Sequence, residues 1–115
     1  MGITNFDKVD ISTSTATATA GAATLNGQAG TVTTESLTTA AGAEYTLTLT
    51  NSSIKAASVV LASVGLGTAT AGVPGIGGVT VSAGQAVITV TNLAAAAAFD
   101  GTLKINFLVL NQAVV

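Results

Sequence analysis

The chain has 115 residues and a formal net charge of −2, with 7% charged against 49% hydrophobic residues. That length predicts a single domain. Three scattered lysines (Lys8, Lys55 and Lys104) without any arginine exclude the basic footprint that nucleic acids and anionic membrane surfaces require. The chain has no His and no Cys, which removes the commonest general base, the commonest metal ligand, the thiol nucleophile and every disulfide.

Residues 1–21 read as an N-terminal arm. Ile3, Phe6, Val9 and Ile11 stand among polar and charged neighbours, followed by the low-complexity stretch STSTATATAGAA. Such a stretch has too little apolar bulk to offset its own chain entropy, so the arm reads either as a floppy terminus or as a tether whose apolar residues dock on a neighbour. No basic n-region or apolar h-region precedes it, so no secretory signal is expected. Gly2 invites a myristoylation motif, but Phe6 stands where that motif needs Ser or Thr.

Residues 22–115 read as the folded domain. Asn26-Gly27 is a hairpin-type turn signal, and a short strand is expected over Thr31–Thr34. AEYTLTLTN is the clearest element: Tyr45, Leu47 and Leu49 alternate with Thr46, Thr48 and Thr50, the period of a half-buried strand. Ala57–Val64 is a denser apolar run, expected as a more buried strand. GLGTATAGVPGIGG is broken by glycines and a proline and reads as a loop with room for a short strand at Thr68–Thr70. Alternation resumes in Val79–Ser82, turns at Ala83-Gly84, and continues through Ala86–Thr91 and Thr102–Leu110. An echo links Ala41-Gly42…YTLTLTN with Ala83-Gly84…VITVTN; each is a turn, an alternating strand and a closing Asn.

Seven or eight short strands about ten residues apart predict an all-β antiparallel sandwich, jelly-roll or immunoglobulin-like. The five alanines of NLAAAAAFDG favour a helix by propensity, yet they make barely more than one turn. Between two core strands, and ahead of Asp100-Gly101, they read instead as a tight connection anchored by Phe99. No run of about 18 uninterrupted apolar residues predicts a membrane-spanning helix. With aromatics limited to Phe6, Tyr45, Phe99 and Phe107, the core must come from Val, Leu, Ile and Ala. A core this modest suggests oligomerisation.

Little in the chain suggests catalysis. Ser52 and Lys55 have Ser-x-x-Lys spacing but follow a strand, not a helix opening. Glu35 and Glu44 would be a glycosidase pair without aromatic platforms. GLGTATAG lacks the third glycine of a dinucleotide loop. Asn51-Ser52-Ser53 is formally a glycosylation sequon. No metal or cofactor is expected. One feature stands out: the second face of the last strand reads Lys104, Asn106, Leu108, Leu110, polar at first and then apolar. A wet face should remain polar, so either a loop or the arm covers this end, or Leu108 and Leu110 are subunit or partner contacts, with Ile3, Phe6, Val9 and Ile11 of the arm as further candidates.

The strands YTLTLTN and VITVTN and the closing GTLKI, within roughly residues 30–111, resemble small β-rich decoration, or cement, proteins on the capsids of tailed bacteriophages. The resemblance implies a non-enzymatic β-sandwich, commonly a homotrimer, on the outer capsid surface of the virion. There it would grip the major capsid protein across subunit junctions. The alternative is a receptor- or glycan-binding module of a phage tail or fibre, for which Tyr45 and Phe99 would be the aromatic anchors.

Overall fold

The computed structural model describes residues 14–111 and forms eight strands without a helix. They are β1 (Ser14–Thr17), β2 (Ala22–Thr24), β3 (Ala29–Thr33), β4 (Glu44–Thr50), β5 (Val59–Leu66), β6 (Pro74–Ser82), β7 (Gln85–Asn92) and β8 (Leu103–Leu110). Two four-stranded sheets, here called A (β1-β3-β8-β5) and B (β2-β4-β7-β6), face each other as a sandwich. The pairings β3–β8, β5–β8, β4–β7 and β6–β7 are antiparallel. Each sheet adds one short parallel edge strand, β1 beside β3 and β2 beside β4.

From β1 to β6 the chain changes sheet at every connection; β6–β7 is a hairpin within one sheet. This alters the expected role of Asn26-Gly27. It carries the chain from sheet B to sheet A rather than reversing it within one sheet. Ala83-Gly84, by contrast, closes a two-residue hairpin with Ser82 opposite Gln85 and Gly84 at φ 82°. The first crossing, at Ala20-Gly21, holds both residues at positive φ (51° and 78°). The threonine-rich stretch assigned to the arm therefore contributes β1 from Ser14 onward, while residues 1–13 lie outside the described residues.

The core forms where the alternation predicts it. Tyr45, Leu47 and Leu49 of β4, Ile88 and Val90 of β7, and Leu103, Ile105, Phe107 and Val109 of β8 are buried. Their threonine, lysine and asparagine neighbours turn to the other face. On the outside of sheet B, Thr46 pairs with Thr89 and Glu44 with Thr91. Uncharged hydroxyls cover much of that face, which is how a chain with so few charges keeps polar groups in water.

The Gly-rich segment departs from expectation. Its second half is not loop but the first part of β6, which starts at Pro74 and shifts register between Ile76 and Gly78. An edge strand tolerates a leading proline and a bulge, because one side of its backbone carries no ladder. Two of the glycines lie against neighbouring side chains. A Cβ on Gly75 would lie 2.7 Å from Leu93 Cδ1, and one on Gly77 would lie 2.7 Å from Thr91 Oγ1. Thr68–Thr70 is not a strand; it is a loop bonded to Thr102 and Asp100.

The sequence echo has a structural counterpart. β4 and β7 pair antiparallel in the middle of sheet B, so the turn before each lies against the Asn that ends the other. Asn51 N donates to Gly84 O (2.9 Å), Asn92 N to Ala43 O (2.9 Å) and Gly42 N to Asn92 O (2.8 Å). Both asparagines are fully buried. The two copies thus stand near a local two-fold axis and pin the loops at opposite ends of the sheet.

The alanine run is a connection, as its position implies. Residues 93–100 contain no helix. Asn92 Oδ1 accepts from Ala94 N (3.1 Å), Asn92 Nδ2 donates to Ala97 O (2.8 Å), and Phe99 is buried.

Candidate functional site

The outer face of sheet A is where polar and apolar surface meet. Side chains at alternate positions of β8 and β5 point outward there, and the register sets them in rows. Val59 lies beside Leu110, Leu61 beside Leu108, Ser63 beside Asn106, and Gly65 beside Lys104. The first two rows are apolar and the last two are not. Val59, Leu61 and Leu110 keep 55%, 52% and 46% of their surface exposed. Such clustering on paired strands sets these side chains apart from scattered surface apolarity and makes this face the candidate interaction surface. Leu108 is half-buried, flanked by Leu61 on one side and Ala29 of β3 on the other.

A transverse polar ladder marks the boundary. Thr31 Oγ1 donates to Asn106 Oδ1 (2.7 Å), and Asn106 Nδ2 donates to Ser63 Oγ (3.2 Å). Three strands are thereby tied across the face. An open depression of about 240 Å³ lies along this line, with Leu61 and Leu108 on its apolar side and Ser63 and Asn106 on its polar side. At the far end, the loop after β4 closes against the end of β8. Ser58 Oγ donates to Asn111 Oδ1, and Asn111 Nδ2 donates to Ser53 O (3.0 Å).

Leu108 and Leu110 are therefore brought together on one exposed face. Ile3, Phe6, Val9 and Ile11 fall outside the described residues. Sequence reasoning missed Val59 and Leu61. The run ASVVLASV is apolar at both parities, which reads as burial on two sides. In a two-layer sandwich the outer face of sheet A has no second sheet over it, so one of those sides is open.

The groups weighed for catalysis have structural partners. Glu35 Oε1 accepts from the Tyr45 hydroxyl (2.9 Å) and Glu35 Oε2 from Gly21 N (2.8 Å), tying the β1–β2 crossing to sheet B. Burial, then the hydrogen bond to Glu35 and its charge, push the Tyr45 phenol above its ordinary pKa. Glu44 precedes Tyr45 and points to the opposite, exposed side, so the two glutamates do not converge. Lys55 Nζ reaches the Ser52 carbonyl (3.4 Å), a turn contact. Among the described residues no cluster of three or more acidic side chains could hold a metal ion, and no helix is long and apolar enough to cross a membrane.

Asp100 has a structural role as well. Its Oδ2 accepts from Thr70 Oγ1 (2.8 Å), and its Oδ1 from Thr70 N (2.6 Å) and Ala71 N (3.0 Å). These bonds, the Thr70 hydroxyl first, favour the carboxylate and lower its pKa below the ordinary 3.8. A depressed folded-state pKa adds stability that is present above the unfolded value and lost as pH falls through the folded one. In an NMR titration the Asp100 carboxyl carbon should show a midpoint below 3.8. A midpoint at or above that value would mean that the 68–71 loop does not hold the carboxylate in solution.

No family model, no characterised protein and no solved structure matches this chain.

Proposed function

We propose that this protein is a virion structural protein that decorates the outer capsid of a tailed bacteriophage and stabilises the shell by bridging major capsid protein subunits. The observation that carries this reading is the apolar end of the sheet-A face, where Val59, Leu61 and Leu110 are exposed beside half-buried Leu108 on two paired strands. Its sharp polar border suits a bounded protein contact. Each contact of this size is weak alone. Copies that engage two or more shell subunits, as homotrimers, gain by effective concentration. Binding the assembled shell and not its free subunits then stabilises the shell by mass action.

Receptor or glycan binding on a tail or fibre has less support. It needs exposed aromatic anchors, yet Tyr45 and Phe99 are buried and the Tyr45 hydroxyl is engaged by Glu35.

Electron-microscopic imaging of virions is expected to place the protein on the outer capsid in hundreds of copies; density confined to the tail would overturn the reading. Replacing Leu108 and Leu110 together by Ser should lower shell affinity at least tenfold, at about 1.4 kcal/mol per tenfold. Unfolding of the free protein should change little, because both side chains are on the outer face. Full occupancy of shells by this variant would remove the sheet-A face from the mechanism.

A further inference from the structure

Sheet A ends at β5, and no described strand pairs beyond it. The phase of the ladder decides which backbone groups are left open. Gly67 N donates to Thr102 O (2.9 Å), continuing the β5–β8 register one pair past Leu66 and Leu103. In an antiparallel pair, successive residues turn their N–H and C=O to opposite sides. Leu61, Ser63 and Gly65 therefore bond to β8, whereas Val60, Ala62 and Val64 present theirs to the open edge. The far side of β8 agrees. Val109 N donates to Gln28 O (2.6 Å), so Val109, the neighbour of Val60, turns its backbone toward β3. Among the described residues, no backbone group outside sheet A bonds to Val60, Ala62 or Val64.

The other three sheet edges carry features that discourage further pairing. β1 has four residues and β2 three, while β6 begins at Pro74 and shifts register between Ile76 and Gly78. β5 has eight residues in unbroken register, with no proline and no charge. No Asp, Glu, Lys or Arg occurs anywhere in residues 56–99. The nearest charge on the outer face is Lys104, beside Gly65 at the polar end. A long, regular, apolar edge of this kind is a template for one more strand.

We propose that β5 pairs antiparallel with β5 of a second copy about a two-fold axis at Leu61, joining the two four-stranded A sheets into one continuous sheet. A two-fold contact needs a patch complementary to itself, and an uncharged strand meets that need without bringing like charges together. The apolar rows choose the register. With Leu61 opposite Leu61, the row Leu108–Leu61 runs on unbroken into Leu61–Leu108 of the second copy. Val60 and Ala62 of each copy then exchange hydrogen bonds with Ala62 and Val60 of the other. Moving the axis to Ala62 or Ser63 would set Leu61 against Ser63 or Gly65 and break the row. The outer face stays open, and the apolar ends of two copies become one surface that neither completes alone. The contact links copies in pairs and leaves the trimeric arrangement to other surfaces. It rests on the proposed function only in naming the joined face as the one a shell takes, where linked contacts gain by effective concentration.

The chain has no cysteine, so an introduced one reports cleanly. Opposite residues of a pair that is not hydrogen-bonded lie about 4.5 Å apart at Cα, within disulfide range. Leu61→Cys should therefore oxidise to a dimer about ten times faster, or more, than Ser63→Cys. Ser63 also faces outward, but its counterpart lies about 14 Å away in this register. Equal rates, or a faster Ser63→Cys, would overturn the proposal. A second measurement uses the unaltered chain. Amide exchange at Val60 and Ala62 should slow about tenfold or more between low and high micromolar protein, while Leu61 and Ser63, bonded to β8, change far less. Exchange that ignores concentration would overturn the pairing. Slowing seen only once shells are added would overturn it too, and would give the edge to an extended capsid segment. Leu61→Lys sets like charges opposite each other and should leave a folded monomer; a variant that still dimerises would overturn the axis at Leu61. Failure of these measurements leaves shell binding by separate copies intact. A dimer that binds no shell would instead sink the decoration reading alone.

Discussion

Replacing Asn92 by Ala should destabilise the protein by roughly 3–5 kcal/mol, a large share of the total stability of a small domain. Asn92 has no exposed surface. Its Oδ1 accepts from Val73 N (3.1 Å) and Ala94 N (3.1 Å), and its Nδ2 donates to Thr39 O (3.1 Å) and Ala97 O (2.8 Å). One amide thus satisfies backbone groups from three separate loops. Truncation leaves those groups without partners, at about 1–3 kcal/mol for each one kept from water. Thr91→Ala, on the outer face one residue earlier, should change stability by no more than about 0.5 kcal/mol. Urea unfolding of both variants decides the matter. A loss below about 1 kcal/mol for Asn92→Ala would mean that water replaces the amide at the loop ends. Asn51 holds the equivalent place at the opposite end of the sheet. Its amide is bonded to Gly27 O (2.7 Å), Gly27 N (3.3 Å) and Ser53 N (2.8 Å).

Phe99→Ala is expected to cost a similar amount, roughly 3–5 kcal/mol, for a different reason. Phe99 is 2% exposed and is the one bulky side chain between Ala94 and Gly101. Its ring packs where Gly72 has no side chain: a Cβ there would lie 2.4 Å from Phe99 Cδ1. Removing the ring leaves a cavity between two loops and loosens the alanine connection, whose residues 95–98 are exposed and add little burial of their own. The midpoint of urea unfolding should fall with its slope unchanged. A double-mutant cycle tests the contact itself. Gly72→Ala alone meets the ring as well as a φ of +88°, whereas after Phe99→Ala the backbone strain and a 3.3 Å approach to Asn92 Nδ2 remain but the ring does not. Strict additivity of the two losses would show that the ring does not occupy the space above Gly72.

The parts of the fold readable from the chain were those in which one strand carries its own signal. YTLTLTN, AVITVT and TLKINFLVL alternate between β-branched or aliphatic residues and polar ones, and such a pattern can bury only one face. Period alone therefore specifies β4, β7 and β8 and the core residues they supply. The polar-to-apolar change along Lys104, Asn106, Leu108 and Leu110 was likewise visible, because it lies on a single strand. Other features depended on neighbours. The glycines of β6 read as loop until the segment is seen paired along β7, with Leu93 and Thr91 beside Gly75 and Gly77. Val59 and Leu61 read as buried until they are found on the outer face of sheet A, over which no second sheet packs.

Local residue chemistry was sufficient for an all-β sandwich with a Val, Leu and Ile interior, a non-helical alanine run anchored by Phe99, and a last strand that changes character along its outer face. Period, turn residues and small side chains act over a few positions, so one chain segment is enough to show them. Tertiary contacts decided the exchange between sheets, the parallel edge strands, the pairing of the two asparagine-ended strands about a local two-fold, and the joining of Leu108 and Leu110 with Val59 and Leu61 into one patch. Each of these sets residues far apart in the chain side by side. Which strand becomes a neighbour is settled by packing the two faces together, and no segment carries that information alone.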